Sequence, residues 1–318
     1  GVPALRGLRR LHPDRPLLLA APHVIGRWFT DLGLVDGFVA TSGLDDDPPG
    51  RHLGPHDAVN LHGRGPQSHA LLMAGNPGSL LAFAAPQSGD DAPSAPADVT
   101  ARDDADVRAQ ALPPWRADEH EVLRWCRLVS WAGGRCGPED LRLDPGDRSP
   151  APLDEDYVVL HPGAASRSRR WPADRWVDVT RVLSRRVAVR LTGDSSERPI
   201  CLEIAQAAGL SEDCVVAGSL DLPRLTRLVG AAQLLVCGDT GVAHVATATG
   251  TPSVLLFGPT APRLWGPAID RDRHACLWHG DGTGDPHADR TDPALLRISA
   301  AEVLVAAEAL LDHELWVA

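Results

Sequence analysis

Residues 234–257 read LLVCGDTGVAHVATATGTPSVLLF. Two unbroken apolar runs, Leu234–Cys237 and Ser253–Phe257, flank the tight turn GDTG and a short helical stretch that Gly250 closes. Apolar runs that do not alternate fit strands buried on both faces, so the segment predicts a parallel strand–helix–strand unit. The same grammar extends upstream. Strand Tyr157–Leu160 runs into HPGAASRSRRWP, and a helix follows from about Pro172, with proline at its first turn. Strand Val187–Leu191, the turn TGDSSE and a helix ending near Gly209 come next. Strand Val215–Ala217 then leads through SLDLP to a helix ending at Gly230. Repeated units of this kind predict a doubly wound α/β domain.

The first part of the chain follows a looser version of the pattern. Leu17–Ala21, Gly37–Ala40, Ala58–Leu61 and Leu80–Phe83 read as strands. Residues 118–132 read as an amphipathic helix, because Val122, Leu123, Trp125, Cys126 and Val129 recur at helical spacing. A last helix is expected over about 299–312. Residues 144–155, DPGDRSPAPLDE, read as a linker, and residues 87–114 as a long mobile loop. The expected organisation is two α/β domains, 1–146 and 156–318, separated by a cleft.

The chain has 318 residues, enough for about two domains at roughly 100–200 residues each. Its formal net charge is −11, with 42 acidic against 31 basic residues, and every basic residue is arginine. That balance argues against a dedicated nucleic-acid binder, which needs a basic footprint. The apolar run 17–21 is too short to span a bilayer, and no secretory leader is legible. Six scattered cysteines without a CxxC pair suit buried, reduced thiols in a cytoplasmic protein.

In an open parallel sheet, ligands sit beyond the carboxyl ends of the strands. Three loops of the second domain fall there. In CGDTGVAH, the first amides of the helix after Gly238 lack internal partners and favour an anion. Asp239 suits sugar hydroxyls, Thr240 adds a hydroxyl, Gly241 permits close approach, and His244 is within the helix start. The same residues also suit a plain helix cap at Asp239 or Thr240 with a packed His244. In residues 161–172, Arg167, Arg169 and Arg170 form a cationic cluster suited to phosphate oxygens, or an exposed charged turn. In residues 192–197, Glu197 suits a ribose or base, or caps the next helix. Together the loops suit a nucleotide-diphosphate sugar. Neither a P-loop nor a well-placed GxGxxG is present. Asp285, His287, Asp289 and Asp292 have no calcium-loop spacing and read as a flexible solvated loop. Trp171 and Trp176 read as packing residues of the second domain, with Trp265 near the cleft.

At these motifs the chain resembles glycosyltransferase family 9, the heptosyltransferase family. HPGAASRSRRWPADRW, LTGDSSE and GDTGVAHVATATGTPSVLLFGPTAPRLWGP carry the likeness over about residues 155–270, and VPALRGLRRLHPD and DAVNLHGRGPQSH carry a weaker one. The resemblance implies a GT-B architecture of two Rossmann-like domains. It implies inverting transfer of heptose from ADP-heptose to lipopolysaccharide core, without metal or other cofactor. It places Thr240, Gly241 and Val242 on the diphosphate, Asp239 on the donor sugar and His244 beside them. Arg169 takes the place of a phosphate-binding lysine, Arg170 lies next to it, and Glu197 reaches the ribose or base. His62, Arg64 and Gln67 would face a glycan, lipid-linked or small-molecule acceptor. The implied location is cytoplasmic, with transient contact at the inner face of the membrane.

One departure stands out. In the family, a strand and a Gly-Asp loop precede the PALR-type helix, and that Asp is the proposed general base. The base is therefore expected before Gly1, the first sheet is expected to lack a central strand, and the first domain is expected to be weakly stable. A general base contributes about 10²–10⁴-fold. The chain is therefore expected to bind donor but turn over slowly; Asp14 and Asp31 do not match the base position. Two other readings remain open at this point, a nucleotide-sugar epimerase of the same architecture and a catalytically impaired sugar-nucleotide binder.

Overall fold

The computed structural model describes residues 1–85, 112–144 and 156–314. The proposed linker, from 145 onward, and most of the proposed loop at 87–114 lie outside the described residues. Contacts divide the chain into two units, Gly1–Asp140 and Leu141–Ala318.

The second unit is built on one five-stranded, all-parallel sheet. Its strands are β5 (Tyr157–His161), β6 (Ala188–Leu191), β7 (Leu234–Gly238), β8 (Ser253–Phe257) and β9 (His274–Trp278), in the order β6-β5-β7-β8-β9. Every residue of β5, β7 and β8 is buried, which explains why they read as unbroken apolar runs. The strand order reverses between β5 and β7, so the crevice beyond their carboxyl ends is the ligand position of such sheets. Helices α5 (Ala173–Leu183), α6 (Arg198–Ala208), α7 (Leu222–Gly230), α8 (Gly241–Thr249), α9 (Pro262–Trp265), α10 (Pro293–Arg297) and α11 (Ala300–Glu314) complete it. Asp221 caps α7 by accepting from Arg224 N at 2.9 Å. Gly209 and Gly250 close α6 and α8 in the left-handed region, at φ 80° and 75°. Trp176 and Trp171 are buried edge to face, 5.2 Å apart, against the core that α11 also joins.

Two sequence expectations change here. Val215–Ala217 is not a ladder strand but a single bridge, Leu191 to Val215, because Gly218 at φ 76° turns the chain at once. Strand β9 was not anticipated. Its residues beyond His274 are only half-buried at the sheet edge, and HACLW, though apolar from Ala275 to Trp278, lacks the valine found in each of the other four strands.

The first unit is α/β but lightly built. It contains α1 (Val2–Leu11), β1 (Leu18–Ala21), α2 (His23–Asp31), β2 (Gly37–Ala40), β3 (Ala58–Val59), α3 (Gln67–Met73), β4 (Leu80–Leu81) and α4 (Glu121–Trp131). β1 pairs with β2 and β3 with β4, both parallel, in two separate sheets rather than one. The expected strands at 58–61 and 80–83 shrink to the two residues of each that pair, Ala58–Val59 with Leu80–Leu81. An apolar cavity of about 710 Å³, lined by Leu5, Leu8, Leu19, Val59 and Leu61 among others, borders both β1 and β3. A small core of Ala4, Leu8, Phe83, Trp125, Leu128 and Val129 joins α1 to α4. No helix among the described residues is long and apolar enough to cross a membrane.

Candidate functional site

Strand β5 ends at His161, and the chain runs through residues 162–171, with a single 3-10 turn at Arg167–Arg169. Strand β7 ends at Gly238 and passes through Asp239 and Thr240 into α8. These loops touch. Arg169 Nη1 donates to the Asp239 carbonyl at 3.0 Å. A side-chain carbon on Gly238 would come within 3.2 Å of the Arg169 carbonyl, so a glycine admits this approach.

Two polar atoms at this junction are buried without a hydrogen bond of normal geometry among the described residues: Arg169 Nε and Thr240 Oγ1. An unsatisfied buried group costs about 1–3 kcal/mol, and native proteins keep few of them. Thr240 occupies the N-cap position of α8 yet gives the helix no side-chain hydrogen bond. The helix therefore opens on its first amides, those of Gly241 and Val242, with the Thr240 hydroxyl and the Arg169 guanidinium beside them, a converging set of donors. Such a set suits an anion. Gly241 is exposed and a Cβ on it would meet nothing within 4 Å, so the first turn is open on that side.

Asp239 is buried at 7% exposure. Burial raises its carboxyl above the usual carboxylate range, and the nearby Arg169 charge pulls the other way. Glu197 stands at the N-cap position of α6 without capping it through its side chain. Its carboxylate accepts from Asp194 N at 2.9 Å, and Glu197 N donates back to Asp194 Oδ1 at 3.0 Å. The carboxylate lies so close to Gly163 that a Cβ there would sit 2.0 Å from it. Glu197 is thus drawn onto the loop after β5, and β5, β6 and β7 present their carboxyl-end loops along one edge. Arg170 is exposed and its Nε donates to the Ala164 carbonyl at 2.8 Å, so it braces its own loop. His244 is exposed on α8 with its ring 6.3 Å from Trp265.

Two participants escaped the sequence reading. His161 is buried at the tip of β5, with Nδ1 3.0 Å from Thr192 Oγ1, and burial lowers its pKa to about 4. Its place at the end of the run YVVLH was the available signal. Ser168 is wholly buried. Its N donates to the Ala288 carbonyl at 3.2 Å and its Oγ to the Pro286 carbonyl at 2.8 Å. Asp292 N returns a bond to the Ser168 carbonyl, and Asp292 Oδ1 caps α10 through Ala294 N. Residues 285–292 are therefore solvated on their side chains, with Asp285, His287 and Asp289 exposed, but are clasped to the arginine loop through their backbone. These bonds run through backbone carbonyls, which side-chain identity does not reveal. Among the described residues no group of three or more His, Cys, Asp or Glu is placed to hold a metal ion.

In the first unit, His62, Arg64 and Gln67 are exposed. His62 N donates to Asn60 Oδ1 at 2.9 Å, and buried Asn60 donates in turn to Ser68 Oγ at 2.9 Å. Gln67 opens α3 rather than lying in the loop.

Two buried histidines make the second unit sensitive to acid. His161 and His274 both have pKa values lowered by burial to about 4. In the unfolded chain they take up protons near 6.5, so their contribution is complete above that pH and is lost as pH falls toward 4. Each accounts for on the order of 3 kcal/mol over that window. Asp239, whose shift runs upward, offsets a part. Urea midpoints of the second-unit transition should fall steadily between pH 6.5 and 4.5, and His161→Gln should flatten the slope. A midpoint constant across that range would refute the assignment.

Comparison with known proteins adds an independent line. The model of the family "Glycosyltransferase family 9 (heptosyltransferase)" matches residues 108–292. A lipopolysaccharide heptosyltransferase 3 from Escherichia coli is 31% identical over 167 residues, which is 51% of this chain and 48% of that protein. A lipopolysaccharide heptosyltransferase 1 from Pseudomonas aeruginosa is 32% identical over 153 residues, 46% of this chain and 42% of that protein. The matches thus span about half the length of these curated relatives. Among solved structures, E. coli ADP-heptose lps heptosyltransferase II aligns with a TM-score of 0.68 at 18% identity, covering 98% of this chain and 94% of that one. A glycosyl transferase family 9 structure from Veillonella parvula aligns with a TM-score of 0.71 at 18% identity, covering 98% and 92%. At that identity the likeness concerns the fold, which is α/β of the GT-B type.

Proposed function

We propose, because the chain belongs to glycosyltransferase family 9 (heptosyltransferase), that it transfers a sugar from a nucleotide-diphosphate donor held by the second unit. The donor is ADP-heptose, and the acceptor is a hydroxyl of a glycan or lipid-linked saccharide. The observation that carries this reading is the buried, unsatisfied Arg169 Nε beside Thr240 and the first amides of α8.

The chemistry follows from that placement. The acceptor hydroxyl attacks the anomeric carbon, the bond to the diphosphate breaks, and the configuration inverts. Negative charge grows on the leaving diphosphate as the bond lengthens. Arg169 and the amides of Gly241 and Val242 are fixed donors where that charge develops, so they need no reorganisation during the step. The helix dipole adds up to about 2 kcal/mol in a partly buried setting, a supplement to the direct bonds. Asp239 accepts from donor-sugar hydroxyls, and Glu197 from the ribose or base. His161, held neutral, supports the loop without adding charge. His62, Arg64 and Gln67 contact the acceptor. A lipid-linked acceptor would bring the protein to the inner face of the membrane. The family match favours transfer over epimerisation.

The test is a thermal-shift and calorimetric panel with ADP, UDP and GDP. ADP at a hundred times its Kd should stabilise the fold by about 2.7 kcal/mol. UDP and GDP should do so only at higher concentration. A melting temperature unmoved by all three would remove the donor site.

A further inference from the structure

The cysteines, read from the sequence as scattered thiols, are not all isolated in space. Cys126 lies in the middle of α4, buried. The helix ends at Trp131, and Gly133, at φ 88°, reverses the chain. Gly134 N donates to the Val129 carbonyl at 3.0 Å, which fixes the reversal. A Cβ on Gly134 would stand 2.7 Å from Val129 Cγ1, so only glycine admits so tight a return. The returning strand of chain brings Cys136, half-buried, back to the helix, and its Sγ lies 2.8 Å from Cys126 Sγ. Both cysteines are free thiols. The segment is also anchored from the other side. Arg10 of α1 donates to the Arg135 carbonyl at 2.9 Å and pairs with Asp140, and Gly7 packs against Cys136 Cβ.

We propose that Cys126 and Cys136 are a redox site that closes to an intramolecular disulfide when the protein meets a small-molecule disulfide, fastening the chain after α4 onto that helix. Cys136 is the attacking thiol. It is the more accessible of the two, and the contact with the Cys126 thiol holds it below the usual thiol range against burial and the Asp140 and Glu139 carboxylates. The same contact, and after it burial, push Cys126 the other way. In the first exchange the Cys136 thiolate bonds to one sulfur of glutathione disulfide and releases one glutathione. In the second, Cys126 gives up its proton, its sulfur bonds to Cys136 Sγ, and the second glutathione leaves. Two protein thiols are oxidised to one disulfide, and one glutathione disulfide is reduced to two thiols.

The sequence makes the product easy to identify. Trypsin cuts after Arg124, Arg127, Arg135 and Arg142, so the crosslink joins Trp125–Arg127 to Cys136–Arg142. The intact protein should be treated with glutathione disulfide, blocked with an alkylating reagent, digested and mapped. Expected are the linked peptide pair, two fewer alkylated cysteines, and a melting temperature of the first unit that rises and returns with dithiothreitol. Cys126→Ser should stop at a glutathione adduct on Cys136, and Cys136→Ser should leave Cys126 unreacted. The wild-type map decides the matter even if a variant folds poorly. Full alkylation of both cysteines, a stable glutathione adduct on wild-type Cys136, or a crosslink without a rise in melting temperature would overturn the proposal. Nucleotide binding by the second unit is read separately and should be equal in both states.

Discussion

Arg169→Ala is expected to weaken ADP binding about a hundredfold while leaving the melting temperature of the unliganded protein nearly unchanged. The guanidinium spends one donor on the Asp239 carbonyl and keeps Nε buried without a partner. Loss of the arginine removes one charge-assisted hydrogen bond from the fold, about 1.5–3 kcal/mol, and also removes an unsatisfied buried group that was costing about 1–3 kcal/mol. The two nearly cancel in the free protein. With diphosphate bound they do not cancel, since charge-assisted bonds to phosphate contribute about 1.5–3 kcal/mol, near a hundredfold at the upper end. Arg169→Lys keeps the charge but not the fork, and should recover most of the ADP affinity. Calorimetric titration with ADP measures all three proteins. If the alanine variant binds ADP as tightly as the wild type, phosphate recognition lies elsewhere in the unit.

The contrast between what the sequence shows and what it hides has a physical basis in particular residues. Strands β5, β7 and β8 are buried on both faces, and so they are written as continuous apolar runs that need no alignment to read. Their carboxyl-end loops follow from where the strands end, which is why the sequence groups Arg169, Glu197 and Thr240 as loop residues along one sheet edge. The contacts among those loops are another matter. Arg169 meets Asp239 through a backbone carbonyl 70 positions away, and Ser168 is gripped by the carbonyls of Pro286 and Ala288. Every residue type carries that carbonyl, so composition and motif are silent about it. The edge strand β9 and the bridge at Val215 failed for separate reasons. β9 pairs on one side and is only half-buried, whereas the largely buried run at Val215–Ala217 is cut to one bridge by the turn at Gly218, which an apolar run does not announce. The Cys126–Cys136 approach depends on a chain reversal at Gly133–Gly134, which a spacing of ten residues does not announce.

Asp239→Asn should separate stability from function in the opposite sense to most substitutions at a buried position. The carboxylate is nearly enclosed, and burial disfavours its ionised form. Asparagine has the same shape and no charge to desolvate, so the variant is expected to melt at the same temperature as the wild type or higher, with the gain largest at neutral pH and shrinking on acidification. The sign follows from the direction of the shift: a carboxyl raised by folding destabilises the native state once it is ionised, and that cost declines as pH falls below its native pKa and is gone below the unfolded value of 3.8. A carboxylate beside a diphosphate also repels it, so affinity for ADP alone should hold or improve. The sugar is where the loss appears. Hydroxyls donating to a carboxylate gain about 1.5–3 kcal/mol, and an amide oxygen returns less than half of that. The advantage of ADP-heptose over ADP, measured as the ratio of their dissociation constants, should therefore shrink about tenfold or more in the variant. A ratio equal to that of the wild type would show that Asp239 does not face the sugar, and its buried charge would then need another explanation within the loop.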